Sequence, residues 1–283
     1  MTWRQITFAP ALSCSTDDVD ALCCELISIG ASGTLVDESG RIVCYIDTAT
    51  SEIQPIIECA TRALCSIISD EEVAEKNWAE HCSELWEPVI AGDLRIVPVQ
   101  SLHSNHPSDP STLLIIPGQG FGTGHHPTTR MIVEELSARA ANISNRKLSI
   151  LDIGTGSGIL AIAAAKLFNT TVEAIDNDAY AIVNAVDNVK LNGLSHLITP
   201  NTMPIEDVTT RANLIIANIY GEVLVQMAPH ITRLALPGCT TILSGITELV
   251  RDVVIDEYSE RHGWSIVSER CDNGWHCIVL THL

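Results

Sequence analysis

The sequence predicts an α/β chain in two parts: a Rossmann-like domain over residues 88–283, preceded by a smaller α+β domain over residues 1–72. Three observations predict it. Strand-like and helix-like runs alternate after Pro88, a glycine turn at residues 154–158 joins a buried strand to an alanine-rich helix, and the first 72 residues read strand, helix, strand, strand, helix. A chain of 283 residues is long enough to bury two cores.

In chain order, Trp3 to Phe8 reads as an amphipathic strand and Asp17 to Ile29 as a helix. Thr34 to Val36 and Arg41 to Ile46 read as short strands, and Glu52 to Ile68 as a second helix. A polar helix from Glu71 to Leu85 is the expected connector, so residues 73–87 are assigned to the link between domains. Strands follow from Pro88 to a turn-rich stretch, Ser101 to Pro110, which has no periodicity. The remaining elements alternate as a parallel sheet with crossover helices requires.

Composition narrows the function classes. The formal charge of -19 disfavours binding to phosphate backbones, whose affinity rests on Lys and Arg, and favours a basic partner. Acids are dense early, at Asp17-Asp18, Asp37-Glu38 and Asp70-Glu71-Glu72. No stretch approaches a membrane span and the amino-terminal residues carry no long apolar segment, so a cytoplasmic protein is expected. Ten cysteines include no Cys-x-x-Cys pair, and Cys44, Cys59 and Cys277 fall within apolar patterns, which predicts reduced, buried thiols.

The glycine turn carries the most chemistry. Leu151-Asp152-Ile153-Gly154-Thr155-Gly156-Ser157-Gly158 has Gly-x-Gly-x-Gly spacing behind an acid, whereas a dinucleotide site wants Gly-x-Gly-x-x-Gly so that a pyrophosphate rests on the helix terminus. The shorter form is the pattern of class I enzymes that use S-adenosylmethionine, which has no phosphate. The next strand, Thr171 to Ile175, ends at Asp176, placed to accept ribose hydroxyl hydrogen bonds; its plainer role would be a helix cap. Upstream, Phe121-Gly122-Thr123-Gly124-His125-His126-Pro127-Thr128-Thr129 leads into a helix that its threonines can cap. Neighbouring histidines rarely face one ion, so no metal is assigned. Asn213 to Tyr220 is a buried strand ending in polar Asn218, on the edge where such sheets bind ligands.

These segments resemble the ribosomal protein L eleven methyltransferase family (PrmA). Phe121 to Thr129 fits its Phe-Gly-Thr-Gly-x-His-x-Thr-Thr signature and Ala217-Asn218-Ile219 its Ala-Asn-Ile. Leu243-Ser244-Gly245-Ile246, Gly274-Trp275, Asn77-Trp78, Trp86-Glu87-Pro88-Val89 and Leu94 to Pro98 extend the likeness along the chain. The resemblance implies a Rossmann-like class I methyltransferase that transfers methyl groups from S-adenosylmethionine to lysine side chains or the terminal amine of a large-subunit ribosomal protein. It places Thr129, Gly154, Asp176 and Asn218 at the cofactor; Gly156 of the same loop joins them, Asn218 is the catalytic candidate because its amide oxygen can aim an amine, and residues 1–72, where acids are densest and no cofactor motif falls, are expected to recognise the substrate. Thr155 stands where the family often has Cys, Asn213 where Asp is common, and Ala79 to Leu85 is more acidic than the family pattern. Two other classes share parts of the pattern: methyltransferases of amide or nucleobase nitrogens, which carry Asn-Pro-Pro-Tyr where this chain has Asn218-Ile219-Tyr220, and nicotinamide oxidoreductases, which need the longer glycine spacing. Which amines are modified, and the oligomeric state, are left open by the sequence.

Overall fold

A computed structural model describes residues 3–282 apart from 12–13, 15, 38, 49–50, 74–86, 100–101, 103–108, 119–121, 123 and 142–147. The chain divides into two compact units, Met1–Asn77 and Trp78–Leu283.

In the first unit, β1 (Trp3–Ala9), α1 (Thr16–Ser28), β2 (Gly33–Val36), β3 (Ile42–Asp47), α2 (Ile53–Arg62) and β4 (Ser66–Val73) follow in sequence. The antiparallel sheet has the order β2-β3-β1-β4. Alternation sets its core, because Ile6 and Phe8 of β1 and Ile42, Cys44 and Ile46 of β3 point to one face and bury against Leu26 and Ile56 of the two helices.

The second helix and the connector need correction. The expected helix to Ile68 stops at Arg62: the Ala63 and Cys65 N–H groups return to the Cys59 and Ala60 carbonyls, and Leu64 adopts φ of 59°. Residues 66–73 are then an edge strand paired with β1, where Arg4 grips Asp70 through Nε at 2.5 Å and Nη2 at 2.8 Å. Glu71 therefore begins no helix. Its acidic neighbours decorate an exposed sheet edge, a common guard against edge-to-edge pairing. Residues 74–86, the rest of the expected connector, lie outside the described residues, as does most of the turn-rich stretch from 101 to 110.

The second unit opens with β5 (Val89–Ala91), β6 (Leu94–Pro98) and β7 (Thr112–Ile115), a small sheet of order β5-β6-β7. There follow α3 (Pro127–Ala140), β8 (Ile150–Ile153), α4 (Ile159–Phe168), β9 (Val172–Ile175), α5 (Ala179–Leu191) and β10 (Ile198–Asn201). The rest is β11 (Ala212–Asn218), α6 (Gly221–Leu234), β12 (Ala235–Thr247), α7 (Glu248–Asp256), a π-helical turn (Glu257–Arg261), β13 (Trp264–Asp272) and β14 (Trp275–His282). The main sheet runs β10-β9-β8-β11-β12-β14-β13, parallel from β10 to β12, with β14 antiparallel to both of its neighbours.

Both faces of that sheet are covered, and the sequence shows it residue by residue. Ile150, Leu214, Ile216 and Ile242 join the core under α3 and α4, while Leu151, Ile215, Ala217 and Leu243 join the core under α6 and the π-helical turn. The order reverses direction between β8 and β11, which leaves a crevice at their C-terminal ends. Among the described residues no helix is long and apolar enough to cross a membrane.

Candidate active site at the strand ends

β8 turns into α4 through the glycines. Gly154 holds φ of 69°, which an L side chain rarely adopts, and a Cβ there would strike Cγ2 of Ile219. The loop and the end of β11 can therefore touch only because residue 154 is glycine. Gly156 donates its N–H to Oδ2 of Asp176 at 2.8 Å, and Asp178 donates to Oδ1 at 3.0 Å. The helix cap is Asp178, whose carboxylate accepts from the Tyr180 N–H at 2.8 Å. Asp176 is thus not the cap, and its half-buried carboxylate, with one N–H on each oxygen, keeps lone pairs to spare.

Asp152, the acid before the glycines, is fully buried beneath the loop. Its Oδ2 accepts from the Thr155 hydroxyl at 2.6 Å and the Ala161 N–H at 3.1 Å, and its Oδ1 has no partner among the described residues. Burial, with a smaller push from Asp176, raises this carboxyl to about 7 against the lowering effect of its two donors. Thr155 is therefore more than a small residue in a turn: its hydroxyl is the one side-chain donor to that carboxyl among the described residues.

The segment entering α3 also departs from expectation. The cap is His126, not a threonine: its Nδ1 meets the Thr128 hydroxyl at 2.7 Å and accepts from the Thr128 N–H at 3.4 Å. Burial, then the charge of Arg130, pushes this imidazole down to about 4, so it is neutral and able to accept. It packs edge-on to Trp275 with ring centroids 4.9 Å apart. His125 points elsewhere, its Nε2 lying 2.8 Å from the Glu87 carbonyl. Phe121 and Thr123 of the signature lie outside the described residues, and among those described no group of His, Cys, Asp and Glu is arranged to hold a metal.

Thr129, fully buried on the first turn of α3, meets Asn218 at the end of β11: Asn218 Nδ2 donates to Thr129 Oγ1 at 3.4 Å. The Asn218 Oδ1 is buried and has no partner among the described residues. Tyr220 caps α6 and is 44% exposed, which makes it rim rather than core. Cys44, Cys59 and Cys277 are buried free thiols; burial raises Cys44 and Cys277 to about 12, which keeps them protonated and unreactive at neutral pH.

One supporting device escaped the sequence reading. Asn184 and Asn188 on α5 and Asn192 at its C-cap lie one turn apart and clip the strand that leads to the signature loop. Asn192 bonds both backbone groups of Leu114, at 2.7 and 3.1 Å, and Asn188 bonds both of Ile116, at 3.3 and 2.7 Å. Asn188 also reaches the Ser157 carbonyl at 2.9 Å, and Ser157 Oγ donates to the Gly122 carbonyl at 2.5 Å, tying signature and glycine loop together. An Asn every four residues was the available signal.

Comparison with known proteins agrees with this geometry. A family model described as Ribosomal protein L11 methyltransferase (PrmA) matches residues 34–282. A protein named ribosomal protein L11 methyltransferase from Geotalea daltonii is 36% identical over 213 residues, covering 72% of this chain and 67% of its own length. One of the same name from Lacticaseibacillus paracasei is 31% identical over 268 residues, covering 88% of this chain and 83% of its own. Among solved structures, a ribosomal protein L11 methylase from Lactobacillus delbrueckii subsp. bulgaricus matches with a TM-score of 0.59 at 26% identity, over 69% of this chain and 98% of that one. With its glycine loop, strand-end Asp176 and Asn218 on a Rossmann-like sheet, the chain belongs to the ribosomal protein L11 methyltransferase (PrmA) family and is a methyltransferase.

Proposed function

We propose that the chain transfers methyl groups from S-adenosylmethionine to amino groups of ribosomal protein L11, a basic protein of the large subunit, in the cytoplasm. The observation that carries the chemistry is the Asn218 oxygen, buried at the strand end with no partner among the described residues. A buried acceptor left unbonded costs about 1–3 kcal/mol, so a donor is expected to arrive there. An amine nitrogen brings such donors.

The residues fit the cofactor on two observations: a loop whose positive-φ glycines carry no side chains, and the Asp176 carboxylate beside it, which accepts one backbone N–H on each oxygen and has lone pairs to spare. Thr129, Gly154, Gly156 and Asp176 would hold it, with Asn218 a minor contact whose main partner is the amine. When bound, S-adenosylmethionine supplies an electrophilic methyl carbon on a positively charged sulfur. Asp176 would accept ribose hydroxyls, hydrogen bonds to a carboxylate being worth about 1.5–3 kcal/mol. The glycines let backbone approach the ligand without side-chain clash.

Catalysis is then mainly orientation. A lysine amine is about 99.9% protonated at neutral pH, so releasing one proton to solvent to free its lone pair costs roughly 4–5 kcal/mol. Asn218 is no base; its oxygen and the Ile219 carbonyl accept amine hydrogens and leave the lone pair aimed outward. The amino-terminal unit recognises the protein substrate, its acidic edge strand facing a basic partner.

Incubation with radiolabelled S-adenosylmethionine and a ribosomal extract tests the reading. Label in the L11 band is the expected result; label confined to a small molecule or to RNA would overturn the substrate while leaving methyl transfer standing.

A further inference from the structure

β12 leaves its register with β14 at the crevice. The pairing runs from Leu243 with Ile278 to Ile246 with His276, so Ser244 and Gly245 form a bulge. That bulge packs on the end of β11. Ser244 pairs with Asn218, and its carbonyl accepts the Ile219 N–H at 3.2 Å. Gly245 holds φ of 84°, and a Cβ there would strike the Ile219 carbonyl. The Ser244 hydroxyl is fully buried and turned away from the crevice strand, donating to the His276 carbonyl at 2.8 Å.

His276 is clamped in turn. Its buried ring places Nδ1 at 2.8 Å from Glu269 Oε1 and Nε2 at 2.6 Å from Glu248 Oε2. Arg251 fixes Glu269 with two bonds of 2.5 Å and also pairs with Asp252. One imidazole therefore ties β13, β14 and the first turn of α7 together, and its backbone carbonyl passes that rigidity to Ser244.

We propose that Ser244 is a positioning residue for methyl transfer, its hydroxyl anchored on the clamped His276 so that the Asn218–Ile219 backbone is held where the acceptor nitrogen needs it. The inference rests on the proposed function, since it assumes that Asn218 and Ile219 receive the amine. A group that aims another acts on turnover and leaves ground-state binding alone. It must also act on the backbone it aims, with or without substrate.

Ser244→Ala, and Glu248→Ala on the exposed side of the clamp, test both consequences. Ser244→Ala should lower kcat about tenfold while the KM for the ribosomal protein and the calorimetric Kd for S-adenosylmethionine stay within about twofold. Amide hydrogen exchange at Ile219, read without any substrate, should quicken about tenfold while that at Ile215 is unchanged. Glu248→Ala should move kcat and Ile219 exchange in the same direction by about threefold. Unchanged Ile219 exchange in Ser244→Ala, or cofactor affinity falling in step with rate, would overturn the proposal. A wild-type chain that binds the cofactor but leaves the ribosomal protein unlabelled would instead overturn the substrate reading, because the exchange measurement stands without it.

Discussion

At the end of β9 the chain has already bonded its acid: Asp176 accepts the Gly156 and Asp178 N–H groups, one on each carboxylate oxygen. At the end of β11 it has done the opposite, burying the Asn218 oxygen with no partner among the described residues while the bulge of β12 braces the backbone beside it. The first edge is a finished surface that a ligand can settle on with little rearrangement. The second is an unfinished hydrogen-bond set that only an incoming donor completes. On the proposed function, binding and catalysis divide along that line: a preformed carboxylate and glycine turn would give affinity, whereas a lone acceptor held rigid would give orientation.

Gly154 is where the two edges touch, so changing it should have the largest effect. Gly154→Ala forces a side chain into a left-handed turn and against Ile219, and should weaken S-adenosylmethionine binding about a hundredfold, or about 2.7 kcal/mol. Calorimetric affinity within a few-fold of wild type would mean that the loop and β11 do not share the ligand. Asp176→Ala tests the first edge alone. It should cost about tenfold in cofactor affinity with the fold retained, because one ribose acceptor is lost from a half-buried strand end. Unchanged affinity would remove Asp176 from the site.

Asp152 gives a smaller, pH-dependent signature. The folded chain keeps this carboxyl protonated to about 7, whereas the unfolded chain loses the proton near about 3.9, so the folded state binds more protons between those values. Stability contributed by this group therefore falls as pH rises from about 4 through 7. Asp152→Asn should flatten that fall, measured as urea midpoints at several pH values, and an unaltered slope would show that Asp152 is ionised in the fold. The smallest effect is expected from salt. Raising ionic strength from about 0.05 to 0.5 M should raise the KM for the ribosomal protein about threefold while leaving cofactor affinity alone, since only exposed charges are screened. A KM indifferent to salt would reduce the acidic edge of β4 to a guard against strand pairing.

The finished edge was the more legible of the two in the sequence. Glycines at 154, 156 and 158 declare positive φ, Asp176 closes an apolar run, and the spacing excluded a pyrophosphate site, so the nicotinamide alternative gave way to a methyltransferase. Asn218 was visible as a polar strand end. Its bracing was not, because Ser244 works through a bulge and His276 through carboxylates 7 and 28 residues away in sequence, contacts that no local pattern announces. The stretch from Leu64 to Val73 was misread for a related reason. Ser66-Ile67-Ile68 continues the apolar spacing of α2, and only the turn at Leu64 and the partner strand β1 make it a strand. The asparagine ladder on α5 was passed over because Asn on a helix reads as solvated surface until the strand it clips is known.

Asn218→Ala, followed by stopped-flow turnover and by calorimetry on the same preparation, tests most directly whether the β11 edge orients the amine. Turnover of the labelled ribosomal protein should fall about thirtyfold or more while the Kd for S-adenosylmethionine changes by less than about threefold. Equal losses in turnover and in cofactor affinity would contradict the division and leave Asn218 as one more residue of the cofactor surface.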